Sequence, residues 1–282
     1  MTLESIISRL EAAGIENAKH EAYLLAEHFL KIPRSKLVVL KNEELACSKE
    51  LEDAVERRTL REPLQYILGE WYFMDEVYEV TPDVLIPRDD TEVLVGCGID
   101  NLPENGRFAD LCTGSGCVAI SLLTHRKDAT GLAVEKYPET LEVAVRNAEK
   151  NGVSDRLEFV LGDVSEDVFR EKEMFDCILT NPPYVTLDEY ALLGAEERKE
   201  PRHALTDEAD GLSIIRRILD VYPKHIKENG FIAVEIGSKQ GDALRFEAEK
   251  RSLDCELLTD IEGRDRVAVL RKTKLQNKED II

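Results

Sequence analysis

Apolar positions follow two rhythms along this chain. At the front, Leu3, Ile6, Ile7 and Leu10 recur at helical spacing, and Ala18, Ala22, Leu25 and Phe29 repeat it. These predict helices over 3–14 and 17–30. A third amphipathic stretch, through Leu51 and Val55, predicts a helix over 48–60, and Pro33 and Pro63 punctuate the ends. The expected unit is a helical domain over residues 1–64. It holds no cluster of chemically useful side chains, so its role is packing or partner recognition. Over 66–80 aromatic and β-branched residues dominate, and Asp75-Glu76 offers a turn. This predicts a β-hairpin linker within 65–85.

From 86 onward short apolar runs alternate with helical patterns. Strands are expected at 108–111, 132–134, 157–161, 175–180, 230–236, 254–259 and 266–271. Helices are expected at 116–124, 138–150, 211–228 and 239–250. Alternating βα units predict an α/β fold with a doubly wound, mostly parallel sheet over 86–282. The last stretch, KTKLQNKEDII, reads as a frayed terminus.

Charge narrows the partners. The 282 residues carry 37 Lys+Arg against 57 Asp+Glu, a formal charge of −20. The acidity is spread, with 10 basic and 17 acidic residues in 1–85. Nucleic-acid binding draws on cationic side chains that neutralise phosphates, so direct contact with DNA or RNA is not expected. An anionic membrane surface is disfavoured likewise. No apolar run reaches the roughly 18 residues of a membrane span, and Glu4 and Glu11 sit where a secretory signal would be apolar. The six cysteines (47, 97, 112, 117, 177, 255) form no CxxC pair. Reduced thiols, a cytoplasmic location and no metal site are expected.

Two segments carry the chemistry. The strand ending Phe108-Ala109-Asp110-Leu111 runs into Cys112-Thr113-Gly114-Ser115-Gly116 and a helix. Ligands of open α/β sheets sit at such carboxyl ends, and the glycines let backbone approach closely. Glu135 ends the next strand, where a carboxylate can accept both hydroxyls of a ribose. Gly-Ser-Gly-Cys-Val-Ala also fits a dinucleotide fingerprint, so a nicotinamide dehydrogenase stays in play. Asp110 favours the other reading, because a carboxylate there suits the ammonium and sulfonium of S-adenosylmethionine and not a pyrophosphate. After the third strand, Asp163 can accept from an adenine amino group with Val164 against the ring; an ordinary turn serves equally well for that pair.

The second segment is Asn181-Pro182-Pro183-Tyr184, after the strand at 175–180. Asn181 precedes a proline and is pushed toward extended backbone, and the prolines stiffen the loop. The Asn181 side-chain oxygen and the Pro182 carbonyl are two acceptors side by side, matched to the two hydrogens of a planar –NH2 group. Tyr184 offers a flat face for packing. The loop therefore clamps an sp2 amine: adenine N6, cytosine N4, or the amide of Gln or Asn. Such a nitrogen is a weak nucleophile, so positioning is the main lever, worth up to ~7–11 kcal/mol. His203 is the nearest histidine and reads as a packing or solvated residue, not a base.

These residues resemble the bacterial peptide chain release factor N5-glutamine methyltransferases. The likeness covers nearly the whole chain. It includes Glu62-Pro63-Leu64-Gln65-Tyr66-Ile67-Leu68-Gly69-Glu70, Val84-Leu85-Ile86-Pro87-Arg88 with Thr91-Glu92, and Asp110–Gly116. It continues through Gly162-Asp163, Asn181–Tyr184, Glu200-Pro201 with Ala204-Leu205, and Asp210-Gly211-Leu212. Glu235-Ile236-Gly237 with Gln240 and Asp265-Arg266-Val267 complete it. The resemblance implies a class I, Rossmann-like methyltransferase domain behind a helical domain and hairpin linker. The implied cofactor is S-adenosylmethionine, leaving as S-adenosylhomocysteine. The implied partner is a class I release factor, methylated on the glutamine of its Gly-Gly-Gln loop. By that resemblance Cys112, Thr113, Gly114, Ser115 and Gly116, with Asp110, wrap the methionine part. Glu135 takes the ribose, and Asp163 and Val164 flank the adenine. Asn181 touches cofactor and substrate, and Pro182, Pro183 and Tyr184 complete the clamp. Three residues depart from the family pattern. Asp89-Asp90 replaces Pro followed by an acid, Cys112 replaces a usual Gly, and Glu135 replaces a common Asp. Glutamine methylation of a ribosomal protein and N6-adenine methylation of DNA share the clamp, and a binding module with a vestigial site is the non-enzymatic alternative.

Overall fold

The computed structural model describes residues 1–45 and 48–273. Cys47 and residues 274–282 of the tail expected to fray lie outside the described residues. The front is helical: α1 (Leu3–Ala12), α2 (Ala18–Leu30), α3 (Arg34–Val39), α4 (Lys49–Thr59) and α5 (Leu64–Leu68). Thr2 and Ser5 cap α1 reciprocally, and Ser48 caps α4 by accepting from the Leu51 N–H. The apolar stripes meet in one cluster from Leu3 through Leu25 and Leu51 to Ile67.

The hairpin is shorter than its residue types suggest. It pairs β1 (Glu70–Phe73) with β2 (Glu76–Glu79). Tyr66, Ile67 and Leu68 form a helical turn instead, started at Pro63 and closed at Gly69 with φ 75°. Phe73 pairs with Glu76, so the reversal falls on Met74-Asp75, one position before the expected turn.

The remaining elements are α6 (Glu92–Asn101), β3 (Arg107–Leu111), α7 (Cys117–His125), β4 (Thr130–Glu135), α8 (Pro138–Lys150), β5 (Leu157–Leu161), β6 (Phe175–Thr180), α9 (Leu187–Leu192), α10 (Arg202–Leu205), α11 (Ser213–Val221), β7 (Ile226–Glu235), α12 (Gly241–Glu249), β8 (Leu253–Thr259) and β9 (Asp265–Lys272). They build a seven-stranded sheet in the order β5-β4-β3-β6-β7-β9-β8. Pairing is parallel from β5 through β7 and antiparallel at β7–β9 and β8–β9. The sheet is covered on both sides, as parallel strands require. Phe108, Cys177 and Leu179 pack with α6 and α7 residues on one face. Ala109, Leu111, Ile178 and Val234 pack with α11 and α12 on the other.

Two helical readings need correction. α6 was absent from the sequence pattern because Gly96 and Gly98 interrupt it; a Cβ on Gly98 would lie 2.6 Å from Leu122 Cδ1, so close helix packing selects the glycine. The helix expected over 211–228 stops at Val221, because Pro223 turns the chain and Ile226 already enters β7.

Register sets the functional edge. Leu111 pairs with both Val134 and Thr180, Thr180 pairs with Val234, and Glu135 pairs with Leu161. Cys112, Glu135, Leu161, Asn181 and Glu235 therefore stand in one row at the carboxyl edge, with Gly162 one residue beyond it. The chain order reverses on the two sides of β3, so this row marks the topological switch point.

Candidate functional site

The loop after β3 is built from three left-handed residues, Cys112 (φ 59°), Gly114 (57°) and Gly116 (84°). These left-handed residues turn the chain sharply at the strand end, where the Gly116 N–H donates to the Thr113 carbonyl at 2.8 Å. Neighbours pin the loop. Thr113 N–H donates to the Val134 carbonyl at 3.0 Å, Gly114 N–H to Glu135 Oε2 at 3.1 Å, and Asn147 Nδ2 to the Ser115 carbonyl at 2.9 Å. A Cβ on Gly114 would meet no atom within 4 Å, so bare backbone faces open space there.

A cavity of about 350 Å³ opens along this edge, a normal size for a small-ligand site. Cys112, Thr113, Gly114, Ser115, Glu135, Asp163, Val164, Asn181 and Pro183 all line it. Asp110, Gly116, Pro182 and Tyr184 do not. Asp110 is 1% exposed and lies behind the loop, accepting from Thr113 Oγ1 at 2.5 Å. Its Oδ1 is buried with no hydrogen-bond partner among the described residues, and burial raises its pKa to about 7. Gly116 caps α7, and a Cβ there would lie 2.8 Å from Ile120 Cδ1. Pro182 is buried. Tyr184 sends its hydroxyl to Glu235 Oε1 at 3.2 Å.

Two carboxylates face the cavity in different surroundings. Glu135 accepts the N–H groups of Gly114, Lys136 and Tyr137, yet burial outweighs these and raises its pKa. Asp163 pairs with Lys136 Nζ at 2.8 Å and accepts from Ser165. Burial works against ionisation there, but Lys136 and Ser165 prevail and hold its pKa at about 2. His203 stacks on Tyr137 with ring centroids 3.7 Å apart, and burial lowers its pKa. The stack is the packing role expected of it.

Asn181 is aimed from behind. Its Nδ2 donates to Thr91 Oγ1 at 3.2 Å, which leaves Oδ1 as an acceptor beside the cavity. Thr91 is 1% exposed and ends a short 3-10 turn, Asp89–Thr91, before α6. Glu200 ties the same stretch down by accepting from the Ile86 N–H and the Arg88 guanidinium.

Comparison with known proteins accounts for this combination. Residues 2–69 match the family model of the PrmC N-terminal domain, and residues 90–206 match that of the methyltransferase small domain. A release factor glutamine methyltransferase of Cereibacter sphaeroides is 37% identical over 95% of this chain and 96% of its own. One from Neisseria gonorrhoeae is 37% identical over 89% and 92%. The chain belongs to the release factor glutamine methyltransferase family. In architecture it resembles the solved hMettl16 catalytic domain, crystallised with an RNA hairpin, at TM-score 0.56, 16% identity and coverage of 82% and 83%. That likeness concerns the fold alone, which is the Rossmann-like class I methyltransferase fold.

Within this family fold, chemistry in the sequence did not single out Thr91, Glu200, Glu235 or Asn147, although the first three lie in segments that carry the resemblance. Thr91 and Asn147 are common residue types in helical patterns. Only the three-dimensional neighbourhood shows them holding the two loops.

Proposed function

We propose that this protein transfers the methyl group of S-adenosylmethionine to the side-chain amide nitrogen, N5, of the glutamine in the Gly-Gly-Gln loop of class I peptide chain release factors. The observation that carries the reading is the aim of Asn181. Its nitrogen is taken by Thr91, so its oxygen is presented where an –NH2 group would be held.

The cavity fits the cofactor. The loop's bare backbone at Gly114, the carboxylates of Glu135 and Asp163 and the apolar Val164 suit a nucleoside with a cationic tail. When bound, the cofactor supplies an electrophilic methyl group on a positively charged sulfur. Residues Cys112–Gly116 would hold its amino-acid part, Glu135 the ribose, and Asp163 and Val164 the adenine. Asp110 would act through the loop, which it anchors at Thr113.

Asn181 Oδ1 and the Pro182 carbonyl accept the two amide hydrogens and orient the nitrogen, while Pro183 and Tyr184 stiffen the clamp. Orientation does most of the work. A methylated amide nitrogen sheds its proton readily to water, so the clamp needs no strong base. Residues 1–64 would recognise the factor, 65–85 link, and 86–282 carry the transfer, in the cytoplasm where release factors act.

The test is mass spectrometry of an unmethylated release factor incubated with the protein and S-adenosylmethionine, beside a Gln→Ala variant of the Gly-Gly-Gln loop. One added methyl on the first and none on the second is the expected result. No transfer to either would overturn the substrate and point to another amide.

A further inference from the structure

We propose that Asn147 is a positioning residue through which the β1–β2 hairpin holds the cofactor loop, which makes the hairpin a part of the cofactor site as well as a linker. The inference rests on the proposed function for one point, the placing of the cofactor's amino-acid part at Cys112–Gly116.

The hairpin reaches the loop from behind. Among the described residues that line the cavity, none belongs to 70–79. The Val80 N–H donates to the Gly69 carbonyl at 3.1 Å. Along an antiparallel pair, residues that bond across the pair alternate with residues that do not. The N–H and C=O of Glu79 therefore point away from β1. The Asn147 side chain meets both. Its Oδ1 accepts the Glu79 N–H at 2.6 Å, and its Nδ2 donates to the Glu79 carbonyl at 3.0 Å. Nδ2 also donates to the Ser115 carbonyl at 2.9 Å. The residue is 0% exposed.

The three partners require one acceptor and two donors on one group, which the short amide of Asn supplies and Asp or Leu does not. They also fix its orientation, since a flipped amide would set Nδ2 against an N–H and Oδ1 against two carbonyls. The bond to Ser115 falls at the loop's most permissive point, between the left-handed glycines 114 and 116. In a trans peptide the C=O and the following N–H point in opposite directions. Asn147 takes the Ser115 carbonyl, and the Thr113 carbonyl takes the Gly116 N–H at 2.8 Å. The 115–116 peptide plane is thus held at both ends, and release at Asn147 frees it to turn. The hairpin end of this tether is itself fixed. Ser121 of α7 donates to Glu76 Oε2 at 2.7 Å and lies 2.7 Å from the Tyr78 hydroxyl. Arg146 of α8 bonds the Glu79 carboxylate at 2.7 Å, and Asn151 donates to the Val77 carbonyl at 3.2 Å.

The test compares Asn147→Ala with Asn151→Ala by calorimetry with S-adenosylhomocysteine. Asn151 donates to the carbonyls of Val77 and Asn147, so its variant loosens the hairpin without touching the loop. Asn147→Ala should bind about 5- to 30-fold more weakly than wild type, the scale of one lost buried hydrogen bond. Its kcat for a Gly-Gly-Gln peptide at saturating S-adenosylmethionine should stay within about threefold, because the clamp is intact. Asn151→Ala should bind within twofold of wild type, although both variants melt lower. Asn147→Asp, which offers no donor when ionised, should bind at least as weakly as Asn147→Ala. Coupling is reciprocal, so S-adenosylhomocysteine should slow hydrogen exchange at the Glu79 amide about threefold or more in wild type, outside the cavity lining, and not in Asn147→Ala. An Asn147→Ala affinity within twofold of wild type, an equal loss in Asn151→Ala, or wild-type Glu79 exchange unmoved by the ligand would overturn the inference. Absence of methyl transfer by wild type would instead overturn the proposed substrate, and the affinities and the exchange would still judge the tether.

Discussion

Cys112 offers a quantitative test of how the cofactor loop is held. Its backbone is left-handed at φ 59°. A side chain in that region costs roughly 1–2 kcal/mol. Glycine escapes this cost but loses more chain entropy, by roughly 0.5–1 kcal/mol relative to alanine. Cys112→Ala and Cys112→Gly both delete the thiol, which is partly buried against the core face containing Leu111 and Val134, so that loss cancels between them. The remaining difference favours glycine by about 0.5–1 kcal/mol, reduced if the alanine methyl is well packed. At an ordinary strand or helix position alanine would win by a similar amount. The predicted signature is an inversion of the usual order, read as guanidinium midpoints of the two variants under reducing conditions. Alanine more stable than glycine by 0.5 kcal/mol or more, as at an ordinary site, would refute the claim that left-handed backbone sets the loop.

Three further outcomes follow from the same geometry. Asn181→Ala should lower kcat about 100- to 1,000-fold, as loss of one preorganised hydrogen-bonding group does; calorimetry should show S-adenosylhomocysteine binding changed by less than about threefold, the cost of less than one neutral hydrogen bond. Arg58 is 3% exposed and is held by Glu21 and Glu196, so Glu21→Gln, which leaves Glu196 in place, should cost ~1.5–3 kcal/mol in thermal denaturation, the scale of hydrogen bonds to a charged group. Asp110, raised by burial to about 7, binds its proton more tightly folded than unfolded. Stability from this group is present below about pH 4 and declines as pH rises to about 7. Asp110→Asn should thus melt higher than wild type at pH 8 by more than it does at pH 4, and an equal difference at both would exclude a protonated Asp110.

Much of this molecule is legible in its sequence because local chemistry and fold agree. The helices at 138–150 and the strands at 157–161 and 175–180 have the residue bounds that their apolar patterns indicate. Where the reading slipped, a tertiary contact overrode a local preference. Tyr66 and Ile67 look like strand residues but are buried in a helical turn fixed by Pro63 and Gly69. Gly96 and Gly98 look like loop residues, but Gly98 lets α6 press against Leu122 and Leu179. In the site, the loops were visible because glycines and prolines punctuate them. Charge alone points to Asp110 as a ligand residue, yet its carboxyl is turned behind the loop by the Thr113 hydroxyl, and no sequence spacing reports a side-chain direction.

The same logic explains why the supporting residues were invisible. Thr91, Glu200 and Glu235 are separated from the segments they hold by long stretches of chain: Asn181 reaches Thr91 across 90 positions, Arg88 meets Glu200 across 112, and Tyr184 meets Glu235 across 51. Those separations are the consequence of the parallel sheet, which brings distant strand ends into one row and closes each loop with a side chain from the next crossover. Glu200 is also the point at which the helical front communicates with this row. Glu196, four residues earlier, binds Arg58 and Arg61 at the end of α4, while Glu200 holds Ile86 and Arg88 three residues before Thr91. One short segment thus joins the helical domain to the stretch that aims Asn181.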